Sequence, residues 1–353
     1  MMSDMRKYCL LILVLFLSEV QAQENNCESI LREAEQLYED GLLESVPVEL
    51  LKCLSGLNNE NKISAYTLLA HTYLFEDNRE EAEKYMEKLL TIKPDYQPTV
   101  LDKKEFIDLM NEYNNDPRIT ITAYVGSNAS RVEVLNIFGV HNVNDSKFNP
   151  NYSRRIALNF GAAADVNLFH NAYLSAEFEY TQLAFDYASE LYDFSKLKFT
   201  ERQDHLMGRM NFIYYFGKTM NRLRPAIKFG GACGWLLDSD SEFQREYLDF
   251  SQGIVSGSEE NVGNTKNALN YWANAGLGIN YRIGKHHVFV DARYNMALNN
   301  MVNNERRFDN ETVIHKYYFL DDDYKLNYMS IQAGFKFSMY KPKIKKSKTK
   351  KVK

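Results

Sequence analysis

The chain has 353 residues, which is enough for more than one domain, and a formal net charge of −5. Its mean hydropathy is −0.45, and after residue 22 it contains no apolar run of the roughly 18 residues that a membrane-spanning helix needs. A helical membrane protein is therefore excluded, whereas a transmembrane barrel is not, because its lipid-facing residues alternate with lumen-facing ones. Aromatic residues make up 13%, including 24 Tyr and 21 Phe, as expected where aromatic girdles lie at both membrane interfaces.

The first 22 residues have the pattern of an export signal. Arg6 and Lys7 are basic, residues 9–17 are apolar, and residues 20–22 offer a small-residue cleavage site. The apolar segment is too short to span a bilayer as a helix. We therefore predict a signal peptide over residues 1–22, with the mature chain starting directly after it. Export and the negative net charge together make nucleic-acid binding implausible.

Export also permits disulfides, since compartments outside the cytoplasm are oxidising. Cys27, Cys53 and Cys233 remain in the mature chain. Cys27 and Cys53 flank a predicted helical hairpin, so we predict a disulfide across its open end; the alternative is two independent buried thiols. Cys233 shares its strand parity with Phe229 and Trp235, which predicts an apolar, lipid-facing side chain.

Residues 23–116 are predicted to form helical hairpins. In residues 63–94, small residues at Ala70 and Ala82 let two helices approach closely, and large apolar residues pack around them. Over residues 63–96 this pattern closely resembles a tetratricopeptide repeat. The resemblance implies an interaction module, because tetratricopeptide folds mostly bind proteins or peptides.

Two flanking segments extend the helical part. Residues 27–60 are similar to a degenerate first repeat, and residues 102–113 are expected to form a capping helix, since such repeats need neighbours to bury their faces. Two repeats give only a small concave surface, so we expect a modest interface with a periplasmic protein. The predicted contact residues are Tyr66, Tyr73 and Tyr85; the alternative is a spacer that merely folds.

Residues 118–340 alternate between apolar and polar positions in eight segments. The alternation is clearest in residues 266–283, where period 2 places one set of residues on each face of a strand. One face carries Leu269, Tyr271, Ala273, Ala275, Leu277, Ile279, Tyr281 and Ile283, and the other Asn270, Trp272, Asn274, Gly276, Gly278, Asn280 and Arg282. The predicted strands are 118–126, 154–168, 172–185, 200–216, 223–237, 268–283, 287–298 and 324–340.

Short and long connections alternate between these strands. Three tight turns contrast with four long polar loops, at 127–153, 186–199, 238–267 and 299–323, which matches the periplasmic and extracellular asymmetry of outer-membrane barrels. An even number of strands places both termini in the periplasm. We therefore predict an α+β multidomain protein with N-terminal tetratricopeptide-like helical hairpins followed by an eight-stranded antiparallel transmembrane β-barrel in outer-membrane lipid.

The final strand carries a further signal. Gln332, Gly334, Phe337 and Met339 resemble the polar–glycine–aromatic pattern by which outer-membrane barrels are recognised for insertion, although here a tail follows them. With the strand pattern over 118–340, they make the chain similar to the PorT-type outer-membrane barrels. This resemblance implies an outer-membrane location, and some members of that family support protein secretion or gliding machinery.

Charged residues of both signs fall at positions that the alternation assigns to the lumen. They are Arg155, Asp165, Glu177, Glu179, Arg209, Lys228, Arg282, Asp291, Arg293 and Lys336. An eight-stranded barrel encloses an interior just wide enough for side chains, and buried charges must be paired. We therefore predict an ion-pair network that fills the lumen; the alternative is a catalytic or ion-conducting cluster, which could include His205.

No sequence motif points to enzymatic chemistry. The chain contains no G-x-S-x-G, H-E-x-x-H or phosphate-binding P-loop motif. His286 and His287 lack a third metal ligand. The run 321–323 could bind calcium, but a solvated acidic loop end is the simpler interpretation. We therefore predict no catalytic residue, no cofactor and no metal site.

The last thirteen residues, 341–353, contain eight lysines. Such a segment cannot fold alone, so we predict a disordered tail. It could contact anionic lipid head groups or the cell wall; the alternative is a solubilising tail without a partner.

The predicted domains are a signal peptide (1–22), a periplasmic helical domain (23–116), the barrel (117–340) and the tail (341–353). The favoured function is a non-enzymatic outer-membrane anchor or scaffold whose helical module binds a periplasmic protein, within an envelope secretion or assembly machine. The alternative is a small transport or ligand-receptor barrel that uses its long outer loops. An outer-membrane enzyme ranks third.

Overall fold

The computed structural model describes residues 27–99, 102–114, 116–139, 150–169, 171–191, 195–217, 221–247 and 254–344. They form two compact units. One unit comprises the described residues up to Asp116 together with those from Tyr340 onwards, and the other is Pro117–Met339. The predicted signal peptide lies outside the described residues. None of the described helices is long and apolar enough to cross a membrane.

Five helices make up most of the first unit. They are α1 (27–39), α2 (Ser45–Cys53), α3 (Asn59–Phe75), α4 (Arg79–Ile92) and α5 (Lys104–Asn111). Asparagine side chains cap the two longest helices: Asn58 accepts a hydrogen bond from the backbone N–H of Asn61 at α3, and Asn78 accepts one from Glu81 at α4. These caps satisfy N–H groups that the first helical turn leaves without a backbone partner.

The core of the helical unit combines small and large apolar side chains. Ala70 on α3 and Ala82 on α4 are fully buried, so the small residues lie where the helices approach. A disulfide joins Cys27 to Cys53, with Cα atoms 5.3 Å apart, and links α1 to α2. The interpretation as two independent thiols is therefore excluded. The large side chains of this core include Leu50, Leu69, Met86, Leu89 and Phe106.

The start of the predicted disordered tail belongs to this unit. Strand β1, Tyr113–Asn114, pairs antiparallel with β12, Lys343–Ile344. The prediction of disorder is therefore wrong for these two tail residues, because backbone N–H and C=O groups can pair whatever the charge of the neighbouring side chains. Residues 345–353, with most of the tail's lysines, lie outside the described residues.

Eight strands of the second unit close into a ring, in the order β2–β4–β5–β6–β7–β9–β10–β11 and back to β2. Their bounds are β2 Pro117–Asn136, β4 Ile156–Phe169, β5 Ala172–Leu191, β6 Ser195–Tyr215, β7 Leu223–Tyr247, β9 Leu269–Ile283, β10 His286–Ala297 and β11 Asp323–Tyr340. Two short strands lie outside the ring: β3 (Asn151–Arg154) pairs with β5, and β8 (Ile254–Asn261) with β7. Helix α6 (Glu311–Tyr317) lies between β10 and β11. Closure removes free strand edges from the ring.

Four strands are longer than predicted at the long-loop end. β2, β5, β6 and β7 continue through residues 127–136, 186–191, 195–199 and 238–247, which the sequence analysis assigned to loops. The physical reason is that the two faces of each strand exchange character along its length. Apolar residues face outward in one part of the strand and inward in the other. On β5, Phe178 faces outward and Glu179 is buried, whereas farther on Phe185 is buried and Asp186 faces outward.

The outer surface of the ring is apolar on every strand. In ring order, the exposed residues include Val125, Leu158, Phe178, Met210, Phe229, Leu277, Val290 and Ile331, each at least half exposed. The residues next to them in sequence point into the ring, as at Asn159, which is 2% exposed. Such a continuous apolar belt around a closed ring is the lipid-facing surface of a transmembrane β-barrel.

Candidate functional site

The centre of the lumen holds two acid–base pairs whose side chains are all buried. Arg293 Nη1 and Nη2 donate to the Glu177 carboxylate at 2.9 and 3.1 Å. Arg209 Nη2 donates to Glu179 at 2.9 Å, and the Tyr124 hydroxyl donates to the same carboxylate at 2.8 Å. Because β5 and β10 lie on opposite sides of the ring, the Glu177–Arg293 pair bridges the lumen.

Two further pairs extend the network. Lys228 Nζ contacts Asp291, and Lys336 Nζ lies 3.9 Å from the Asp165 carboxylate. Glycine at position 278 makes room for the first pair, since a Cβ atom there would collide with Asp291 Oδ1. Eight of the ten charged residues predicted for the lumen are therefore buried in four ion pairs, each at most 6% exposed.

Arg155 and Arg282 differ from these eight residues in their burial. The Arg155 side chain is 41% exposed and donates to Asp186 at 2.8 Å and to Thr200 at 3.0 Å, on the outward faces of β5 and β6. Its lumen assignment is wrong because residue 155 lies between β3 and β4, where the alternation is interrupted. Arg282 is half-buried beside the turn at Gly284 and is paired in register with the inward-pointing His287, so it faces the lumen near its short-turn end.

Two inward-facing histidines of the barrel, His205 and His287, do not belong to the four ion pairs. His205 is fully buried, with its ring edge-on to Trp272 at 5.6 Å, and its Nε2 lies 3.2 Å from the Gln203 side-chain oxygen. His287 is 6% exposed and points inward, whereas its neighbour His286 is half-buried on the opposite face of β10. The two adjacent histidines therefore cannot ligate one ion together.

Apolar side chains close the lumen at the long-loop end. Trp272 is 1% exposed and donates its indole N–H to the Leu326 carbonyl at 3.0 Å. Residues 299–323, which we call the loop plug, place Tyr317 against Phe243 with ring centroids 4.8 Å apart. Five apolar side chains of the plug are themselves buried: Met301, Val302, Val313, Tyr317 and Phe319.

The loop plug is not among the predictions from sequence, because the polar composition of residues 299–323 favours a solvated loop. Its buried residues show no period-2 alternation, and α6 is only seven residues long. One signal was present: Val313 and Tyr317 are four positions apart, which places both on one face of a helix.

The run Asp321–Asp323 is neither a calcium loop nor a solvated loop end. Asp321 accepts a hydrogen bond from Lys266 Nζ at 2.8 Å, Asp322 accepts one from a tyrosine hydroxyl at 2.7 Å, and Asp323 is paired with Arg307. All three carboxylates are at most 9% exposed. A carboxylate that is buried in this way needs a partner, and each of the three has its own. Within the described ranges, no group of three or more His, Cys, Asp or Glu could hold a metal ion.

The three tyrosines predicted to contact a partner lie together between α3 and α4. The ring centroid of Tyr85 is 6.1 Å from that of Tyr66 and 5.7 Å from that of Tyr73. Lys88 Nζ lies 4.7 Å from the Tyr85 centroid. Tyr85 is only 2% exposed, so its assignment as a contact residue is wrong: it packs in the core and supports the half-buried Tyr66 and Tyr73.

A groove of about 360 Å³ opens on the other side of α3, against α5. Its exposed edge is Phe75, 63% exposed, with Lys103 Nζ 4.1 Å from the centre of the ring. Its floor is the buried ring of Phe106, on which His71 stacks at 4.2 Å. The sequence analysis missed this groove, since its residues come from two helices that are separated in the chain.

Asp102 holds the groove wall in place. Its carboxylate lies 2.8 Å from His71 Nε2 and accepts a hydrogen bond from the Thr99 backbone N–H at 2.6 Å. Burial acts to raise the pKa of Asp102, but the hydrogen bonds from His71 and Thr99 outweigh it and lower the pKa below its usual value. The carboxylate is therefore charged at neutral pH and fixes the imidazole over Phe106.

A family model described as Tetratricopeptide repeat matches residues 63–96. The match covers most of α3 and all of α4, which confirms the repeat predicted for these residues. No curated protein matches the sequence significantly.

Several solved barrels are similar to part of the chain. The N-terminal barrel domain of Pseudomonas aeruginosa OprF is 14% identical over 64% of this chain and 100% of its own, with a TM-score of 0.27. Yersinia pestis Ail, the attachment invasion locus protein, is 14% identical over 62% and 99%, with a TM-score of 0.28. Pseudomonas aeruginosa OprG is 10% identical over 66% and 98%, with a TM-score of 0.31. Because these scores are low, the barrel fold rests on the strand pairs of the chain itself.

Proposed function

We propose that the protein is a non-enzymatic anchor in the bacterial outer membrane whose helical unit binds a protein partner in the periplasm. The closed ring with an apolar belt supports the location, since closed barrels of this kind are characteristic of outer membranes. The even strand number and the short turns favour both chain ends in the periplasm. The resemblance to PorT-type barrels favours a partner in an envelope secretion or assembly machine, and the eight lysines of residues 341–353 favour contact of the tail with the anionic envelope surface.

The filled lumen is the observation that carries this proposal. Four buried ion pairs occupy the interior of the ring, and the loop plug packs over one end. A barrel filled in this way has no room for a solute path. The helical unit offers an open groove beside α3 and α5, and it also carries the tetratricopeptide repeat.

We assign the partner contact to the groove beside α3 and α5. Phe75 offers an exposed aromatic ring, Phe106 an apolar floor and Lys103 a positive charge at the edge. Aromatic anchors in desolvated pockets dominate the energy of most protein interfaces. A partner segment with an apolar side chain next to a carboxylate would fit this chemistry.

Crosslinking in living cells followed by purification of the full-length protein tests this assignment. Phe75→Ala should reduce recovery of the partner at least tenfold, because truncation of an anchor residue commonly costs more than about 1.4 kcal/mol of binding energy. Val48→Ala, at an exposed residue of α2 (57% exposed), is the matched control and should recover the partner as the wild type does.

Three outcomes separate the alternatives. Loss of the partner in a Tyr66→Ala, Tyr73→Ala double variant but not in Phe75→Ala would move the contact to the tyrosines. If none of the recovered proteins depends on residues 23–116, the anchor proposal is rejected. Equal recovery from all variants would show that the helical unit is a spacer.

A second candidate, a ligand receptor, is favoured by one observation. A pocket of about 390 Å³ lies at the long-loop end among β3, β5, β6, β7 and β8, with the charged side chains of Asp186, Lys198 and Glu242 in its lining. Binding of the purified protein to a glycan or peptide array, lost in Lys198→Ala and kept in Phe75→Ala, would support this candidate over the anchor.

A further inference from the structure

A small basic cavity lies at the short-turn end of the lumen, apart from the four ion pairs at its centre. Its volume is about 20 Å³, which is room for one water molecule or one monatomic ion. Its lining includes Tyr215, Arg224, Asn280, His287, Lys336 and Ser338. All six of these residues are at most 6% exposed, so a charge inside this cavity is largely shielded from bulk solvent.

Arg224 gives the cavity an uncompensated positive charge. Its Nη2 donates to the neutral Asn171 side chain at 2.9 Å, and its guanidinium lies 4.7 Å from the Tyr215 ring centroid. Four buried acids of the lumen are paired with other bases: Asp165 with Lys336, Glu177 with Arg293, Glu179 with Arg209, and Asp291 with Lys228. None of the ion pairs among the described residues includes Arg224.

Two donors that line the cavity have no hydrogen-bond partner among the described protein atoms. They are Arg224 Nε and His287 Nε2. His287 Nδ1 lies 3.3 Å from the Ser338 hydroxyl; when that hydroxyl donates to Nδ1, Nε2 carries the proton and is a donor. Leaving such groups unpaired in a buried site is unfavourable by about 1–3 kcal/mol each, and more for the charged one.

We propose that this cavity binds a single small anion of the halide class, with chloride as the natural occupant. One negative charge offsets Arg224, and an anion accepts hydrogen bonds from Arg224 Nε and His287 Nε2. Lys336 lines the same wall, and its ammonium group is 3.9 Å from its carboxylate partner Asp165. The small volume favours a monatomic ion over phosphate, sulfate or a carboxylate, and the positive charge favours an anion over a cation. Water fits the volume but leaves the positive charge without a counter-ion.

Anion-dependent unfolding of the full-length protein tests the proposal. The folded protein in detergent micelles is unfolded with urea in sodium chloride, sodium bromide or sodium gluconate at one constant ionic strength. Chloride and bromide should raise the unfolding midpoint with saturation, because a ligand that binds only the folded state stabilises it by mass action. Gluconate, which is too large for the cavity, should not.

Arg224→Gln should abolish the chloride dependence. Arg222→Gln, at an exposed arginine two positions away over the Tyr281 ring, is the matched control and should keep it. Chloride-35 NMR on the wild-type protein adds a measurement that does not depend on folding of the variant: the bound site should broaden the chloride line, and bromide should reverse the broadening. An equal midpoint in chloride and gluconate, a chloride effect unchanged in Arg224→Gln, or broadening that bromide does not reverse would overturn the proposal.

Discussion

Glu177 shows how strongly single residues in this lumen depend on one another. Its carboxylate accepts two hydrogen bonds from Arg293 and a third from Asn211 at 2.7 Å, while it is only 6% exposed. If the carboxylate is removed, the guanidinium remains buried in a medium of low dielectric without its counter-charge. The stabilisation therefore belongs to the pair and not to either residue alone.

Glu177→Gln should lower the free energy of unfolding of the barrel by about 3–5 kcal/mol, the range for breaking one side of a buried ion pair. Addition of Arg293→Gln should recover part of this loss, since the unpaired charge disappears. Glu190→Gln serves as the control, because the Glu190–Lys196 pair is exposed at 58% and 36% and contributes at most about 1 kcal/mol. Urea unfolding in detergent micelles, followed by tryptophan fluorescence, measures all four proteins. Equal midpoints for Glu177→Gln and Glu190→Gln would contradict a buried pair.

The sequence could predict which residues face the lumen but not which acid meets which base. The direction in which a side chain points follows from period 2. The pairing of an acid with a base depends on how the strands are staggered across the ring. Glu177 and Arg293 are 116 positions apart, and no local pattern connects them. At Arg155 the prediction from period 2 fails. One irregular residue between two strands changes which of the following residues point into the lumen.

At the scale of elements, strand β6 passes from one environment to another. Around Met210, which is 60% exposed, the outward face is apolar and the inward neighbour Arg209 is buried. Near the start of the strand the pattern is reversed: Leu197 and Phe199 are buried, and Lys198 faces outward. A strand is apolar outside and polar inside where lipid surrounds it, and polar outside where water does. The inversion therefore marks the edge of the membrane on β6 at the long-loop end.

Single cysteines on β6 locate this edge. In a Cys233→Ser background, Lys198→Cys should react with a membrane-impermeant maleimide added to intact cells, because residue 198 is outside the lipid. Met210→Cys should stay unlabelled until the membrane is dissolved in a mild detergent. The native disulfide between Cys27 and Cys53 does not react with maleimide.

The two labelling patterns that contradict this topology differ from each other. Labelling of both cysteines in intact cells would show that β6 is not embedded at residue 210. Labelling of neither cysteine, with Lys198→Cys reacting only after the outer membrane is opened, would place the long loops in the periplasm and reverse the orientation.

The number of strands and the positions of the short turns could be read from the sequence, because both depend on local residue order. The ends of the strands on the long-loop side could not, since the same sheet continues there with an alternation of the opposite polarity. The loop plug is still less predictable. Val302 and Phe319 are buried by contacts with strand residues far away in the chain, and neither belongs to a periodic segment.

At the scale of the whole barrel, the lumen is closed twice by different physical means. Charged pairs at the centre join β5 to β6 and to β10, and an aromatic cluster with the loop plug fills the long-loop end. The first closure depends on electrostatic pairing in a medium of low dielectric, and the second mainly on apolar burial, with the ion pair of Arg307 and Asp323 in the plug beside it. Removal of one should therefore leave the other in place, so the two can be tested separately.

The purified protein reconstituted in planar lipid bilayers should carry no ion current. A variant in which residues 303–320 of the loop plug are replaced by a short glycine–serine linker should remain silent as well, because Glu177, Glu179, Arg209 and Arg293 still bridge the lumen below it. Heat-dependent migration on detergent gels verifies that each protein is folded before it is measured. Steady current steps from the wild-type protein would contradict the filled lumen and favour a transport barrel. Steps from the plug variant alone would show that the loop plug is the gate and that the central ion pairs leave a path for ions.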